Sequence, residues 1–372
     1  MVSKDDIQKI LNHAGIIING PNPWDIQVHN EKLYSRIFSE GSLGLGESYM
    51  DGWWDVPNLD QFFDRVLAAN LDKKIPASKV ALEVLKAKLF NQQTKSKSKI
   101  VAQLHYDLGN EIYTRMLDKN MQYTCGYWKN SKTLEQAQVA KLKLICDKLQ
   151  LKKGMKVLEL GGGFGGLARF MAKEYGCEVV SYNISKEQIA FAREWCKGLP
   201  VTFIEADYRE AQGMFDRVVS VGLCEHIGYK NYRTYMQVAH RCLKDHGMFL
   251  LHTIGGNISA ISTEAWLDKY IFPNSMLPSP KQLSEAAEGL FVLEDWHNFG
   301  ADYDKTLMAW NDNFVKTWNE LKGTKPVYDD RFFRMWQYYL LSCAGSFRCR
   351  KNQLYQLVLS KGGRPGGYIS VR

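Results

Sequence analysis

An acid two residues ahead of a glycine cluster is the first place where residue type and spacing in this chain suggest chemistry. Glu159-Leu160-Gly161-Gly162-Gly163-Phe164-Gly165-Gly166 follows the apolar pair Val157-Leu158 and runs into Leu167-Ala168-Arg169-Phe170-Met171-Ala172. The pattern is strand, glycine loop, helix. Glycines let backbone come close to a ligand, and a helix N-terminus offers free N–H groups. The segment is therefore a seat for a nucleotide-type cofactor. Gly161, Gly163 and Gly166 satisfy G-x-G-x-x-G, which by itself is a weak signal for a dinucleotide. Three features argue against NAD. Glu159 precedes the first glycine by two residues. The loop begins only at residue 161, after a helix. The next strand ends Val180-Ser181-Tyr182-Asn183, with an amide where an NAD site wants an acid for the ribose.

Further polar residues stand at the ends of other apolar runs: Tyr123-Thr124-Cys125, Cys224-Glu225-His226, His252-Thr253-Ile254, and Tyr303 after 296–302. In a doubly wound sheet the segments that follow the strands line one crevice. Cys125, Glu225, His252 and Tyr303 could converge there. Each also has an ordinary reading: a small buried thiol, a helix-start acid, a satisfied core histidine. Asp207 is placed to meet an adenine amine, or is a plain loop aspartate. Ser185-x-x-Gln188 reads equally as a capping box or as a cofactor contact. The eight histidines and eight cysteines show no HExxH or CxxC spacing, so a metal site is rejected.

The elements that must position these residues follow from periodicity. Strands are expected at 156–160, 178–182, 201–205, 216–221, 248–253, 291–296 and 355–360. Helices are expected at 134–149, 166–175, 185–197 and 231–244. Short apolar strands alternating with helices predict an α/β fold: a mostly parallel, doubly wound seven-stranded sheet covered on both faces. Before it, residues 1–77 predict a small, mainly helical domain. Helices are expected near 4–14 and 33–38, with 41–46 as a glycine break. Asp51-Gly52-Trp53-Trp54 and Phe62-Phe63 supply its core or face a lipid interface. Residues 78–100 read as a basic linker and 101–372 as the catalytic domain. The net charge of +8 is concentrated: eight lysines and one acid between Lys73 and Lys99 contribute +7. Such a run is a solvated face or seeks an anionic partner, membrane or nucleic acid. No apolar run approaches the ~20 residues of a membrane span, and the opening MVSKDDIQKI carries no signal-peptide core. The chain reads as reduced and cytoplasmic.

Glu159-x-Gly161-x-Gly163-x-Gly165 resembles the first motif of class I S-adenosylmethionine-dependent methyltransferases. Other segments narrow the likeness. They are Gly41-Ser42-Leu43-Gly44-Leu45-Gly46-Glu47-Ser48-Tyr49-Met50-Asp51-Gly52-Trp53-Trp54, His105-Tyr106-Asp107-Leu108-Gly109-Asn110, Met121-Gln122-Tyr123-Thr124-Cys125-Gly126-Tyr127-Trp128, Gly222-Leu223-Cys224-Glu225-His226-Ile227-Gly228 and Trp296-His297-Asn298-Phe299-Gly300-Ala301-Asp302-Tyr303. In this order they resemble the bacterial cyclopropane-fatty-acyl-phospholipid synthases and, less closely, the mycolic acid cyclopropane synthases, over nearly the whole chain.

That resemblance implies methylene transfer from S-adenosylmethionine to the cis double bond of an unsaturated phospholipid acyl chain, with bicarbonate as the base. Carried over, Cys125, Glu225, His252, Ile254 (through its backbone) and Tyr303 surround the bicarbonate, and Tyr303 is best placed to face the carbocation, with Tyr127 and Trp128 as alternatives. Tyr123, Thr124, Glu159, Gly161, Gly163, Gly165, Asn183, Gln188, Asp207 and Tyr208 hold the cofactor. An acyl tunnel is expected along Tyr270, Ile271, Phe272, Met308 and Trp310. The lysine-rich run would dock on an anionic membrane surface, so the enzyme is peripheral, and the resemblance also implies a homodimer. Gly162, Phe164, Thr124 and Asn183 depart from the usual pattern. Competing readings are a lipid C-methyltransferase that closes no ring, a nucleic-acid methyltransferase, and a membrane-binding protein with a degenerate fold. No RNA-binding fold is recognisable, so nucleic acid is not expected as a partner.

Overall fold

The computed structural model describes residues 3–71 and 109–372. The basic run 73–99, the linker expected over 78–100, and 105–108 lie outside them. The chain forms two compact units. One takes Met1–Phe90, Ile261–Pro273 and Tyr303–Asn352, the other Asn91–Ala260, Asn274–Asp302 and Gln353–Arg372. This division does not follow contiguous spans: two late segments side with the N-terminal helices.

The reason is visible within the first unit. Its described helices are Lys4–Asn12, Lys32–Glu40, Ser42–Met50, Leu59–Ala68, Ala265–Tyr270, Ala301–Leu321 from Tyr303 onward, and Asp330–Arg348, beside a two-residue ladder of β1 (Gln27–Val28) and β2 (Trp54–Asp55). The long late helices carry apolar stripes that need a partner. Phe62, Phe63 and Tyr49 supply it around Tyr338 of the last helix, with ring centroids 5.1–5.6 Å apart. Arg348 ties the two parts, donating to Asp60 at 2.6 Å and to Asp304 at 2.8 Å. Trp54 is wholly buried and its indole donates to Leu45 O at 3.1 Å, so it belongs to the core rather than to a lipid interface. The expected break at 41–46 is a correction. Gly41 ends one helix, but Ser42–Met50 starts a second directly. Gly46 lies under the Trp266 indole, where a Cβ would stand 2.6 Å from Nε1; small residues there let two helices approach.

The second unit holds the expected sheet. Its strands are β3 (Lys156–Leu160), β4 (Glu178–Asn183), β5 (Val201–Glu205), β6 (Phe215–Val221), β7 (Leu243–Gly256), β8 (Val292–Asn298) and β9 (Asn352–Ser360), in the order β5-β4-β3-β6-β7-β9-β8. Pairs from β5 to β7 are parallel; β8 and β9 are antiparallel. Neighbouring residues bury on opposite faces. Leu158 packs with Phe249, Val238 and Leu283, while Val157 packs with Leu142, Met171 and Ala192. A strand buried on both faces needs a continuous apolar run, and each such side chain contributes ~1.5–3 kcal/mol. The chain leaves β3 toward β4 and β5, then returns to β6 on the opposite side of β3. That reversal opens a crevice at the carboxyl ends of β3 and β6.

Candidate active site

The glycine loop sits at that reversal. Gly161 and Gly162 donate to Tyr182 O at 2.9 and 3.1 Å, and Gly165 N donates to Gly162 O at 2.8 Å. Gly161, Gly163 and Gly165 have φ of 85°, 51° and 82°, a region that side-chain-bearing residues rarely adopt. Gly162 is required by its neighbours. A Cβ there would run into Ser181 Oγ and stand 2.8 Å from Glu159 Oε2. A Cβ at Gly166 would run into Asn120 O and Gln122 Nε2, whereas one at Gly163 would meet nothing within 4 Å. The loop is packed on its flanks and open at Gly163, as close backbone approach to a ligand demands.

Asn183 braces this loop. Its Nδ2 donates to Gly163 O at 3.1 Å and to Gln188 Oε1 at 3.0 Å, and its Oδ1 accepts from the Ile184 and Ser185 amides. Ser185 Oγ does cap Gln188 N, but the Gln188 side chain turns to Asn183, so the capping box stays half made. Asp207 caps the short turn Tyr208–Glu210, accepting from Arg209 N at 3.0 Å and pairing with its guanidinium at 3.3 Å. Tyr208 is buried, its hydroxyl accepting from Arg209 Nε at 3.3 Å. Glu159 is buried opposite Ser181 on β4, and Ser181 Oγ donates to it at 2.6 Å. Burial pushes the Glu159 carboxyl up to about 7, against the opposing pull of Ser181 and the Lys141 charge.

A second wall comes from 118–127, held by the helix Leu134–Lys148. Tyr127 N donates to Ala137 O at 2.8 Å, and Gln138 Nε2 donates to Thr124 O at 2.8 Å. Lys141 Nζ donates to Gln122 Oε1 at 2.5 Å and to Thr124 Oγ1 at 2.8 Å. Tyr123 packs edge-on to Tyr113, centroids 5.2 Å apart. Cys125 is wholly buried, its thiol 3.2 Å from Gly126 O. Gln138, Lys141 and Lys148 were not singled out from the sequence. The available signal was their spacing: 134, 138, 141, 145 and 148 share one helix face, and all five side chains are buried.

Glu225 stands beyond β6, one strand over from the strand that leads into the glycine loop, and His252 stands on β7, two strands over. Glu225 Oε1 accepts from Ile254 N at 2.7 Å, so that amide is committed to the carboxylate. Burial raises the Glu225 carboxyl to about 7. His252 is registered opposite Val221. Gln356 Nε2 donates to its Nδ1 at 3.0 Å, which leaves the ring proton on Nε2. Burial, with the Lys141 and Lys148 charges, holds the imidazole neutral, well below the usual histidine range. Among the described residues, Glu225 Oε2, His252 Nε2 and Gln356 Oε1 are buried here without a partner. An acceptor and a donor are thereby left for a ligand with both functions. Tyr303 groups with the first unit, its ring stacked on Phe347 at 4.5 Å. Tyr270, Ile271, Phe272, Met308 and Trp310 also belong there.

Residues 92–357 match the family model of mycolic acid cyclopropane synthetase. The chain is 53% identical over 359 residues to a cyclopropane-fatty-acyl-phospholipid synthase of Escherichia coli (strain K12), covering 96% of this chain and 93% of that one. Among solved structures it is similar to the cyclopropane synthase MmaA2 from Mycobacterium tuberculosis, with TM-score 0.64 and 28% identity over 71% of this chain and 98% of that one. It is likewise similar to the mycolic acid cyclopropane synthase CmaA1 complexed with SAH and CTAB, with TM-score 0.65 and 28% identity over 72% and 99% of the two chains.

Proposed function

The chain belongs to the mycolic acid cyclopropane synthetase family, and from that membership we infer its reaction. It is an S-adenosylmethionine-dependent enzyme that transfers a methylene group to the cis double bond of unsaturated phospholipid acyl chains and closes a cyclopropane ring. When bound, S-adenosylmethionine supplies an electrophilic methyl group on a sulfonium centre. The glycine loop, open at Gly163, would hold it with Glu159, Asn183, Gln188, Tyr123 and Thr124. Asp207 and Tyr208 complete the set we assign to the donor.

Ring closure requires one proton to leave the transferred carbon, and it requires a site without competing water. We assign the proton acceptor to bicarbonate, with Cys125, Glu225, His252 and Ile254 as its surroundings. The unpartnered Glu225 and His252 atoms carry this reading. Glu225 Oε2 would accept the hydroxyl of the ion, and His252 Nε2–H would donate to an anionic oxygen. Neutral His252 suits this role because it donates without itself competing for the proton. Glu225 orients; its Oε1 is already pinned by Ile254 N. The acyl chain is assigned to the apolar residues Tyr270, Ile271, Phe272, Met308 and Trp310. An anionic bilayer surface, met through the lysines of 73–99, and a homodimer complete the proposal.

The test is incubation with unsaturated phospholipid vesicles and methyl-labelled donor, followed by NMR of the acyl product. Label in a cyclopropane methylene with loss of the olefin is the expected result. Label in a methyl branch would instead support the transferase that closes no ring.

A further inference from the structure

Two lysines of the helix Leu134–Lys148 are wholly buried, and they are provided for differently. Lys148 has an acid: Asp295 lies 3.6 Å from its Nζ, with His297 Nδ1 at 3.1 Å. Lys141 has none within 4.0 Å among the described residues. Its two hydrogen-bond partners, Gln122 Oε1 and Thr124 Oγ1, are neutral. Asp118 and Glu159 act on it only at longer range, and burial has raised both carboxyls. Burial lowers the ammonium to about 8, so it stays largely charged at neutral pH. A buried cation without a counter-ion is costly and is retained where a ligand supplies the opposite charge.

The geometry says where that charge arrives. A lysine ammonium only donates, so Thr124 Oγ1 must accept from Lys141. Its own proton is thereby directed elsewhere, and no described residue receives it. The Thr124 methyl lies over Gly222, where a Cβ would stand 3.0 Å from Thr124 Cγ2. Gln122, the other partner, is the residue whose Nε2 fills the space against Gly166 at the end of the glycine loop. The Lys141 cluster therefore borders the donor's seat.

We propose that Lys141 is a positioning residue that makes the Thr124 hydroxyl an obligate donor to a carboxylate and supplies its counter-charge, the carboxylate being that of the methionine part of S-adenosylmethionine. This rests on reading the glycine loop as the donor's seat. The role of Lys141 is exerted through Thr124 and Gln122, and it touches no reacting atom.

The experiment measures dissociation constants by calorimetry for two probes, S-adenosylhomocysteine, which has the carboxylate, and 5′-methylthioadenosine, which lacks it. The variants are Lys141→Met, Thr124→Val and the double. Each single variant should weaken S-adenosylhomocysteine about tenfold or more and change methylthioadenosine by less than about twofold, as loss of a charge-assisted hydrogen bond requires. The double should bind much as the weaker single does, because both remove one linked interaction. Equal losses for both probes would reduce Lys141 to a structural role and overturn the proposal. So would unchanged binding together with a raised bicarbonate requirement for turnover, which would make bicarbonate the counter-ion. If Lys141→Met fails to fold, the Thr124→Val arm decides alone. Failure of the unaltered protein to bind S-adenosylhomocysteine would overturn the donor seat itself, a separate result.

Discussion

Glu225 carries the sharpest consequence at the scale of single residues. Glu225→Gln keeps the shape but exchanges an acceptor oxygen for an amide. Turnover should fall about 100-fold or more, in the range typical of lost acid–base organisation. Binding of S-adenosylhomocysteine, measured by calorimetry, should hold, and near-normal turnover would remove Glu225 from the role given to it. The raised carboxyl makes a second prediction. Glu225 titrates near 7 in the fold against an ordinary 4.5. Between those values the folded protein holds the proton that the unfolded chain has released, so stability falls as pH rises through the window. A shift of this size corresponds to about 3 kcal/mol. The melting temperature of Glu225→Gln relative to the unaltered protein should therefore climb from about pH 5 to about pH 7 and then level off. A difference that stays flat across the window would show that Glu225 is not held protonated by burial. Glu159, Asn183 and Glu225 stood out in the sequence as polar residue types at strand ends. Lys141 was not, because a lysine on a helix reads as surface until the partners of its face are known.

Elements explain the least typical part of the loop. Glu159 on β3 and Ser181 on β4 are register partners. Their hydrogen bond places Ser181 Oγ where a side chain at 162 would begin, so Gly162 and Ser181 form a matched pair across two strands. Gly162→Ala should lower the melting temperature and weaken S-adenosylhomocysteine binding, with about 1–3 kcal/mol of overpacking. Adding Ser181→Ala should recover part of both, since it empties the contested space. If the double variant is no better than Gly162→Ala alone, the pairing is not the reason for the glycine. The strands and the helices between them were legible from apolar runs and turn residues, because a sheet buried on both faces has to be written as unbroken apolar segments. The helix Ser42–Met50 was not, because three glycines at 41, 44 and 46 read as a loop. Only the indole of Trp266, more than two hundred residues away in sequence, makes the smallness of Gly46 useful.

At the scale of the whole molecule, the proposed partner is a lipid surface. No helix among the described residues is long and apolar enough to cross a membrane. The proposed contact is electrostatic. Each lysine near an anionic surface contributes about 1 kcal/mol at low ionic strength. Replacing Lys86, Lys88, Lys95, Lys97 and Lys99 by Gln should weaken cosedimentation with anionic vesicles at least about tenfold and flatten its salt dependence. Unchanged binding would move the docking surface elsewhere.

The sequence by itself determined the sheet, the glycine loop between its strand and helix, and the residue types at the strand ends, since these depend on local periodicity, glycine conformation and short spacings. The tertiary structure decided what those patterns left open. It grouped 261–273 and 303–352 with the N-terminal helices, turned Asn183 and Gln188 into a brace for the loop, and left Glu225 Oε2 and His252 Nε2 without partners among the described residues. It also buried Lys141 beneath Thr124. Each of these depends on which side chains meet across long sequence separations, and on which charges lose water without gaining a partner; neither property is written in any one segment.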